Sequence, residues 1–310
     1  MRILFMGTPD FALFSLRALV ESGENVIGVI TQPDKPKGRG YALTPPPVKV
    51  YAIEQGLPVW QPTTLRSEDF AALLAELDPE LIVVVAYGKI LPVNVLEYPK
   101  YRCINVHGSL LPEYRGAAPM QRAIIDGKKQ TGITTMLMAD GIDTGDMLLK
   151  TTVDIEENDN FETIHDKLGT AGATLLLDTI NTLRKDGITP IPQDHTRATY
   201  AAKIEKADCL IDFARSAHDV HNQIRGLSPI PLAFTHTPDG RMLKVLAAEI
   251  DKTEVAAAPG TVLSIADGKI TVACASGAIS LLTVLPEGKK RMAAADFING
   301  RKINVGDVLN

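Results

Sequence analysis

Asn105 and His107 stand two residues apart in Cys103-Ile104-Asn105-Val106-His107, where apolar and polar types alternate as in a half-buried strand. Successive strand side chains point to opposite faces, so the carboxamide and the imidazole share one face, with Cys103 one step deeper. Gly108 and Ser109 follow at once, which puts the pair at a strand's carboxyl end, facing a loop mouth. In open α/β sheets, ligands bind at such loops. A second polar turn, Asp140-Gly141-Ile142-Asp143-Thr144-Gly145-Asp146, ends a later strand and offers Asp143. If both strand ends meet at one sheet edge, Asp143 approaches His107. Together the three supply donors for a developing oxyanion, and a carboxylate that orients an imidazole and relays a proton. They include no Ser or Cys nucleophile at an elbow. The chemistry they suit is attack by a substrate amine on an activated carbonyl. Blander readings stand beside this one. Asn-x-His alone also describes a hydrogen-bonded structural pair, and an Asp commonly holds its own turn. A metal site on Cys103, His107 and Asp143 ranks lower, because no ligand spacing supports it.

Positioning such groups requires a sheet covered on both faces. Buried or half-buried strands are expected at residues 3–6, 26–31, 58–60, 81–86, 103–107 and 132–138, with 148–153 pairing to the last. Between them, helices are expected from residue 9 to about 23, and at 48–55, 67–77 and 117–125. A longer helix over 161–185 is expected to break or bend near Gly169 and Gly172. Alternating strands and helices imply a doubly wound, mostly parallel sheet. Residues 186–206 lose the periodicity and read as a linker. Beyond them a helix over 214–226 precedes short β segments near 232–235, 243–250, 261–265, 270–273 and 279–285. Asp239-Gly240 and Asp267-Gly268 mark turns, a pattern that suggests a small antiparallel barrel.

Residues 32–47, Gln-Pro-Asp-Lys-Pro-Lys-Gly-Arg-Gly-Tyr-Ala-Leu-Thr-Pro-Pro-Pro, form a long loop rich in Pro and Gly. It carries Lys35, Lys37 and Arg39 against one acid, Asp34. It suits phosphate contact as well as it suits a solvated surface. One glycine alone stands at the first strand–helix turn, Gly7-Thr8-Pro9-Asp10, so the three-glycine dinucleotide fingerprint is missing and NAD is disfavoured. The 310 residues carry a net charge of −5, which gives no whole-chain signal for nucleic acid; residues 206–310 are near neutral. Three scattered cysteines suggest neither disulfides nor a metal site and fit a reducing compartment. No apolar run is long enough to span a bilayer, so a cytoplasmic protein is expected.

Asn105-Val106-His107-Gly108-Ser109-Leu110-Leu111-Pro112, then Arg115-Gly116, with Asp143 in its turn, resembles the folate-dependent formyltransferases. Gly7-Thr8-Pro9-Asp10-Phe11, the 32–47 loop and the separate C-terminal region narrow the resemblance to the branch acting on aminoacyl-tRNA. It covers nearly the whole chain. The resemblance implies a Rossmann-like catalytic domain over residues 1–188, a linker over 189–206 and an OB-like β-barrel over 207–310 that contacts tRNA. It implies 10-formyltetrahydrofolate as cosubstrate and methionyl-initiator tRNA as acceptor; no metal, no membrane contact and a monomer are expected alongside. Carried over by motif, Asn105, His107 and Asp143 are catalytic. Ser109, Leu110, Leu111 and Pro112 meet the folate, with Tyr87, Ile90, Leu91 and Asp140. Arg39, flanked by Lys35 and Lys37, reads the tRNA. From the residues alone, Lys289, Lys290 and Arg291 with Arg301 and Lys302 suit a basic rim, though each suits a solvated face better. One departure is Pro229-Ile230-Pro231, where many relatives carry Pro-Trp-Pro. Formyl transfer to an amino-sugar nucleotide is the alternative within this chemistry, and a non-catalytic RNA-binding protein the alternative outside it.

Overall fold

The computed structural model describes all residues except 38–41, 186, 254, 301 and 302, and gives no side-chain placement for Lys37 and Ala42. The chain divides into two compact units. The first comprises Met1–Gly116, Thr131–Asp154 and His165–Tyr200; the second comprises Ala117–Gln130, Ile155–Ile164 and Ala201–Asn310.

The first unit opens with β1 (Ile3–Gly7), α1 (Asp10–Glu21) and β2 (Val26–Ile30). The 32–47 loop is not irregular throughout: β3 (Lys35–Lys37) pairs antiparallel with β4 (Ala42–Thr44). Asp34 anchors its root, accepting from Lys49 Nζ at 2.9 Å and Gln61 Nε2 at 2.8 Å. Then come α2 (Pro47–Glu54), β5 (Val59–Trp60), α3 (Glu68–Leu77), β6 (Leu81–Val85), α4 (Val93–Leu96), β7 (Cys103–His107) and β8 (Arg115–Gly116). The helix α5 (Pro119–Ile125) belongs to the second unit; β9 (Gln130–Leu137), β10 (Met147–Asp154) and α6 (Phe161–Lys185) follow.

The main sheet runs β10-β9-β7-β6-β1-β2-β5. From β5 to β7 every pairing is parallel, whereas β9 lies antiparallel to β7. Every residue of β1 and β6 is buried, as parallel strands covered on both faces require. Each such Ile, Leu or Val contributes about 1.5–3 kcal/mol by leaving water. Ser67 caps α3 as expected, its hydroxyl accepting from Phe70 N–H. Thr8 does not cap α1, whose first-turn cap position is Pro9 with no side-chain bond. Its hydroxyl instead donates to the Tyr87 carbonyl at 3.0 Å and accepts from Gln32 N–H at 3.3 Å, tying together the ends of three strands.

The helix α6 does not break at its glycines. A Cβ at Gly169 would stand 2.5 Å from the Phe14 ring, and one at Gly172 would stand 3.2 Å from Val106 Cγ1. These glycines bring a continuous helix close to its neighbours; that packing outweighs their roughly 1 kcal/mol propensity cost.

The boundary between the units falls within β11 (Tyr200–Ala201); the second unit then contains α7 (Ala217–Gly226) and the antiparallel strands β12 (Ala233–His236), β13 (Met242–Asp251), β14 (Val262–Ala266), β15 (Lys269–Ala273) and β16 (Ala278–Pro286). They pair in the order β12-β13-β16-β15-β14, and β17 (Met292–Ala293) adds to β16. Among the described residues no pairing of β12 with β14 closes this sheet into a barrel. Asp267 and Gly268, both at positive φ, make the expected two-residue hairpin between β14 and β15. Ser216 caps α7, so the helix starts at Ala217 rather than 214. Val220, Ile224, Val245, Val272 and Leu281 form the centre of its core, beneath α8 (Ala294–Asn299).

Candidate active site

The strand β7 carries Asn105 and His107 on one face, and its antiparallel partner β9 sets Met136 and Thr134 opposite them. Beyond β9 the chain turns back at Asp143. The turn brings both carboxylate oxygens to β7: Asn105 Nδ2 lies 3.5 Å from Asp143 Oδ1, and His107 Nδ1 lies 3.5 Å from Asp143 Oδ2. The three expected residues therefore meet at one sheet edge. His107 is 6% exposed and Asp143 17%.

His107 Nε2 lies 3.0 Å from the Tyr114 carbonyl. A carbonyl only accepts, so Nε2 carries a hydrogen, and Nδ1 is the ring nitrogen turned toward Asp143. Tyr114 is at φ 58°, and its N–H donates to Thr199 Oγ1 at 2.8 Å, which fixes that carbonyl. Asp143 Oδ2 accepts from Gly116 N–H at 2.8 Å. Asp143 itself is in the left-handed region, φ 51°, which Asp adopts more readily than most residues. Its neighbours are glycines for distinct reasons: Gly141 is at φ 145°, and a Cβ at Gly145 would stand 1.8 Å from the Leu137 carbonyl oxygen.

Beyond α6, the polar stretch expected as a linker supplies a part of this site that its composition conceals. Gln193 is 5% exposed, and its amide donates to the carbonyls of Asp143 at 2.8 Å and Gly145 at 2.7 Å. Arg115, 2% exposed, donates to Gln193 Oε1 through Nε at 3.1 Å and Nη2 at 2.7 Å, and Nη2 also donates to His195 Nδ1.

The Ser109–Pro112 segment is held from within. Ser109 Oγ donates to the Glu113 carbonyl at 2.6 Å, while Thr134 Oγ1 donates to the Ser109 carbonyl and accepts from Leu111 N–H. Leu111 is buried with Met136 and Met147, and Leu110 fills the space above Gly132. The Leu111–Pro112 bond is cis, and Lys150 donates to the Leu111 carbonyl. Burial, with the charge of Arg197, holds the Lys150 amine below its usual pKa. The side chains of Ser109, Leu110 and Leu111 are thus engaged in shaping the loop.

A cleft of about 240 Å³ opens beside the triple, lined by Ile90, Leu91, Met136, Met138, Asp140 and Asp143 among others. Three expected ligand contacts, Ile90, Leu91 and Asp140, lie on it. Tyr87 does not: its ring is in the core, its hydroxyl has no hydrogen-bond partner among the described residues, and burial pushes its pKa up to about 12. Its carbonyl is what the site edge uses, accepting from Thr8 and Gln32. The Cys103 thiol is buried deeper in the strand, donating to the Val95 carbonyl at 3.5 Å, and burial pushes it to about 12. That removes it from the low-ranked metal reading; among the described residues no group of three His, Cys, Asp or Glu is placed so that it could hold a metal ion. Lys35 is exposed and lines a second cleft of about 220 Å³ with Thr8, Gln32 and Pro33. Arg39, Arg301 and Lys302 lie outside the described residues, as does the Lys37 side chain. Lys289, Lys290 and Arg291 are exposed.

The family description "Formyl transferase" matches residues 1–180, and "Formyl transferase, C-terminal domain" matches residues 203–302. The chain is 50% identical over 310 residues to the methionyl-tRNA formyltransferase of Bacillus subtilis, covering 99% of this chain and 97% of that protein. To the methionyl-tRNA formyltransferase of Desulforamulus reducens it is 49% identical over 310 residues, covering 100% and 98%. Two solved structures share the fold at 18% identity. An N-formyltransferase from Helicobacter canadensis, in complex with folinic acid and dTDP-3-aminofucose, has a TM-score of 0.68 over 90% of this chain and 98% of that one. HypX from Aquifex aeolicus, in complex with tetrahydrofolic acid, has a TM-score of 0.65 over 98% of this chain and 48% of that one. With both halves of the family matched and close relatives aligned end to end, the chain belongs to the formyl transferases, in the methionyl-tRNA formyltransferase branch.

Proposed function

We propose that this protein moves the formyl group of 10-formyltetrahydrofolate to the α-amine of methionyl-initiator tRNA at the edge where Asn105, His107 and Asp143 meet. The observation that carries the assignment of the site is their convergence beside a partly apolar cleft. The cleft is of a size and character for a pteridine, with Ile90, Leu91 and Met138 as its apolar walls and Asp140 and Asp143 at its polar end.

In the proposed reaction the neutral amine attacks the formyl carbon. Asn105 Nδ2–H donates to the oxygen as it becomes an oxyanion. With Nε2–H committed to the Tyr114 carbonyl, Nδ1 is the nitrogen through which His107 takes up and returns a proton. The amine sheds a proton on forming the new C–N bond, and the His107–Asp143 pair takes it. Imidazolium Nδ1–H then steadies the oxyanion beside Asn105 and passes the proton to folate N10 as the carbon–N10 bond breaks. One proton enters and one leaves.

The exposed Lys35 and the adjoining Lys37 and Arg39 are proposed to meet the tRNA backbone near its acceptor end, and the C-terminal unit, read as OB-like, to hold the rest. The protein is proposed to work in the cytoplasm, as a monomer. The test is to incubate the purified chain with 10-formyltetrahydrofolate and offer methionyl-tRNA or an amino-sugar nucleotide. Formylmethionyl-tRNA is expected; formylation of the sugar alone would overturn the acceptor assignment, and tRNA binding without any formylated product would overturn the catalytic one.

A further inference from the structure

We infer that Gln193 and Arg115 form a positioning pair for Asp143, so that a residue from the polar stretch after α6 sets the geometry of the reacting edge. The inference rests on the function just proposed and adds to it a pair that lies behind the three reacting residues and acts through Asp143.

Asp143 stands at the apex of a turn with few means of holding itself. Its φ of 51° costs roughly 1–3 kcal/mol unless the surroundings impose it. Within the turn, Gly141 and Gly145 lack side chains to brace it. Leu137 N–H closes the base of the turn on the Asp146 carbonyl at 2.9 Å, and one carboxamide braces its tip: both Gln193 N–H groups are spent on the carbonyls of Asp143 and Gly145, at 2.8 and 2.7 Å. A carboxamide can do this in one of its two flipped orientations only. The guanidinium of Arg115 decides which, because it donates and never accepts, and so demands the oxygen of Gln193. Arg115 is itself fixed in sequence beside Gly116, whose N–H holds Asp143 Oδ2 at 2.8 Å. The carboxylate is therefore gripped on its oxygen by the backbone next to Arg115, and on its main chain by the side chain that Arg115 orients. A displacement of about 1 Å at a reacting group can cost 10²-fold in rate.

The probe is Gln193→Glu in the full-length chain. Glutamate keeps the size and the bonds from Arg115, but a carboxylate cannot donate to the two turn carbonyls. Turnover is expected to fall roughly ten- to a hundredfold, and hydrogen exchange of the peptide covering residues 138–146 to rise while β7 stays protected. A second variant, Asp143→Asn, tests the route. If Gln193 acts through Asp143, adding Gln193→Glu to Asp143→Asn costs less than about twofold more, whereas independent structural damage would multiply the two losses. Multiplied losses, or unchanged turnover with an unchanged exchange pattern, would overturn the inference. If Gln193→Glu does not fold, Arg115→Lys replaces it, since lysine cannot make the two-pronged contact, and the same cycle with Asp143→Asn is read the same way. Absence of formyl transfer by the unaltered protein would instead refute the proposed function, and the exchange measurement would still decide the brace.

Discussion

Asn105→Ala separates catalysis from stability better than any other change at this site. The Asn105 amide reaches Asp143 Oδ1 at 3.5 Å, the outer limit of a hydrogen bond. The residue is only partly buried. Its loss should therefore shift the melting temperature by no more than ~2–4 °C, the equivalent of about 1 kcal/mol for a domain of this size. Asp143 keeps its Gly116 N–H bond and its Gln193 brace throughout. The transition state is affected far more. Removing one preorganised oxyanion donor costs about 2.7–4 kcal/mol, or 10²- to 10³-fold in turnover. The assay is single-turnover formylation of methionyl-tRNA at saturating folate, beside a thermal melt of the same preparation. A folded Asn105→Ala protein within tenfold of the unaltered rate would refute the assignment of Asn105 as donor. Asn105→Asp sharpens the comparison, because it sets a second carboxylate about 3.5 Å from the first. Two full charges at that separation repel by about 5 kcal/mol at an effective dielectric of ~20. That variant should be as slow as the alanine one and should lose stability as pH rises and both groups ionise.

Asp143→Asn keeps a shape that can accept from Gly116 N–H and donate to His107 Nδ1, but it cannot help hold a proton. Turnover is expected to fall at least ~10²-fold, whereas near-normal rates would reduce Asp143 to an orienting role. Lys35→Ala and Arg39→Ala should each raise the KM for tRNA several-fold and flatten its salt dependence, with the KM for folate unchanged; unchanged tRNA kinetics would make the loop a surface feature. His165 faces Asp10 across 3.5 Å and Asp166 at 2.9 Å. Hydrogen bonding to Asp10, then to Asp166, outweighs burial and raises the imidazole above its usual 6.5, while His165 lowers Asp10 below 3.8. Their attraction is thus complete between about pH 4 and 6.5 and fades as pH rises through the raised histidine value. Asp10 is largely exposed, so Asp10→Asn should lower the melting temperature by only ~1–2 °C at pH 5.5 and by less at pH 8.5. An equal deficit at both would show that the pair contributes no charge attraction.

The reacting edge was legible in the sequence where its signal was periodic. The alternation in Cys103–His107 fixed which two side chains share a face, and the structure has the strand over the same five residues. The unbroken apolar run of β6 marked a strand covered on both sides, and Asp267-Gly268 marked a hairpin because few other pairs adopt two positive φ values. What stayed hidden depends on partners far away in the chain. Gln193 lies among prolines and polar residues that carry no period, and nothing in the segment distinguishes it from a solvated glutamine. Gly169 and Gly172 read as breaks because propensity is local, while their use is to admit Phe14 and Val106. Tyr87 carries the right type for a ligand contact, but its ring completes the core and only its carbonyl reaches the strand ends. The protonated nitrogen of His107 follows from the Tyr114 carbonyl, whose direction depends on a left-handed residue that no local pattern announces.

Sorting the polar atoms of the edge by how firmly they are held explains how it can be both rigid and reactive. His107 Nε2, Asp143 Oδ2 and the Asp143 carbonyl are each bonded at 2.8–3.0 Å to a partner that does not take part in the proposed reaction. Those bonds fix the rings and planes in advance, which keeps reorganisation out of the barrier. Asn105 Nδ2 and His107 Nδ1 have contacts of 3.5 Å to the Asp143 carboxylate, too long to be worth much. A substrate can take these contacts over at little cost, because exchanging a weak hydrogen bond for a strong one leaves no buried group unsatisfied. Nδ1 faces an Asp143 carboxylate oxygen at 3.5 Å, so a proton held on Nδ1 makes a charge-assisted contact there. The attacking amine must lose one proton and folate N10 must gain one, and the His107–Asp143 contact is placed to hold that proton between the two steps of the proposed reaction.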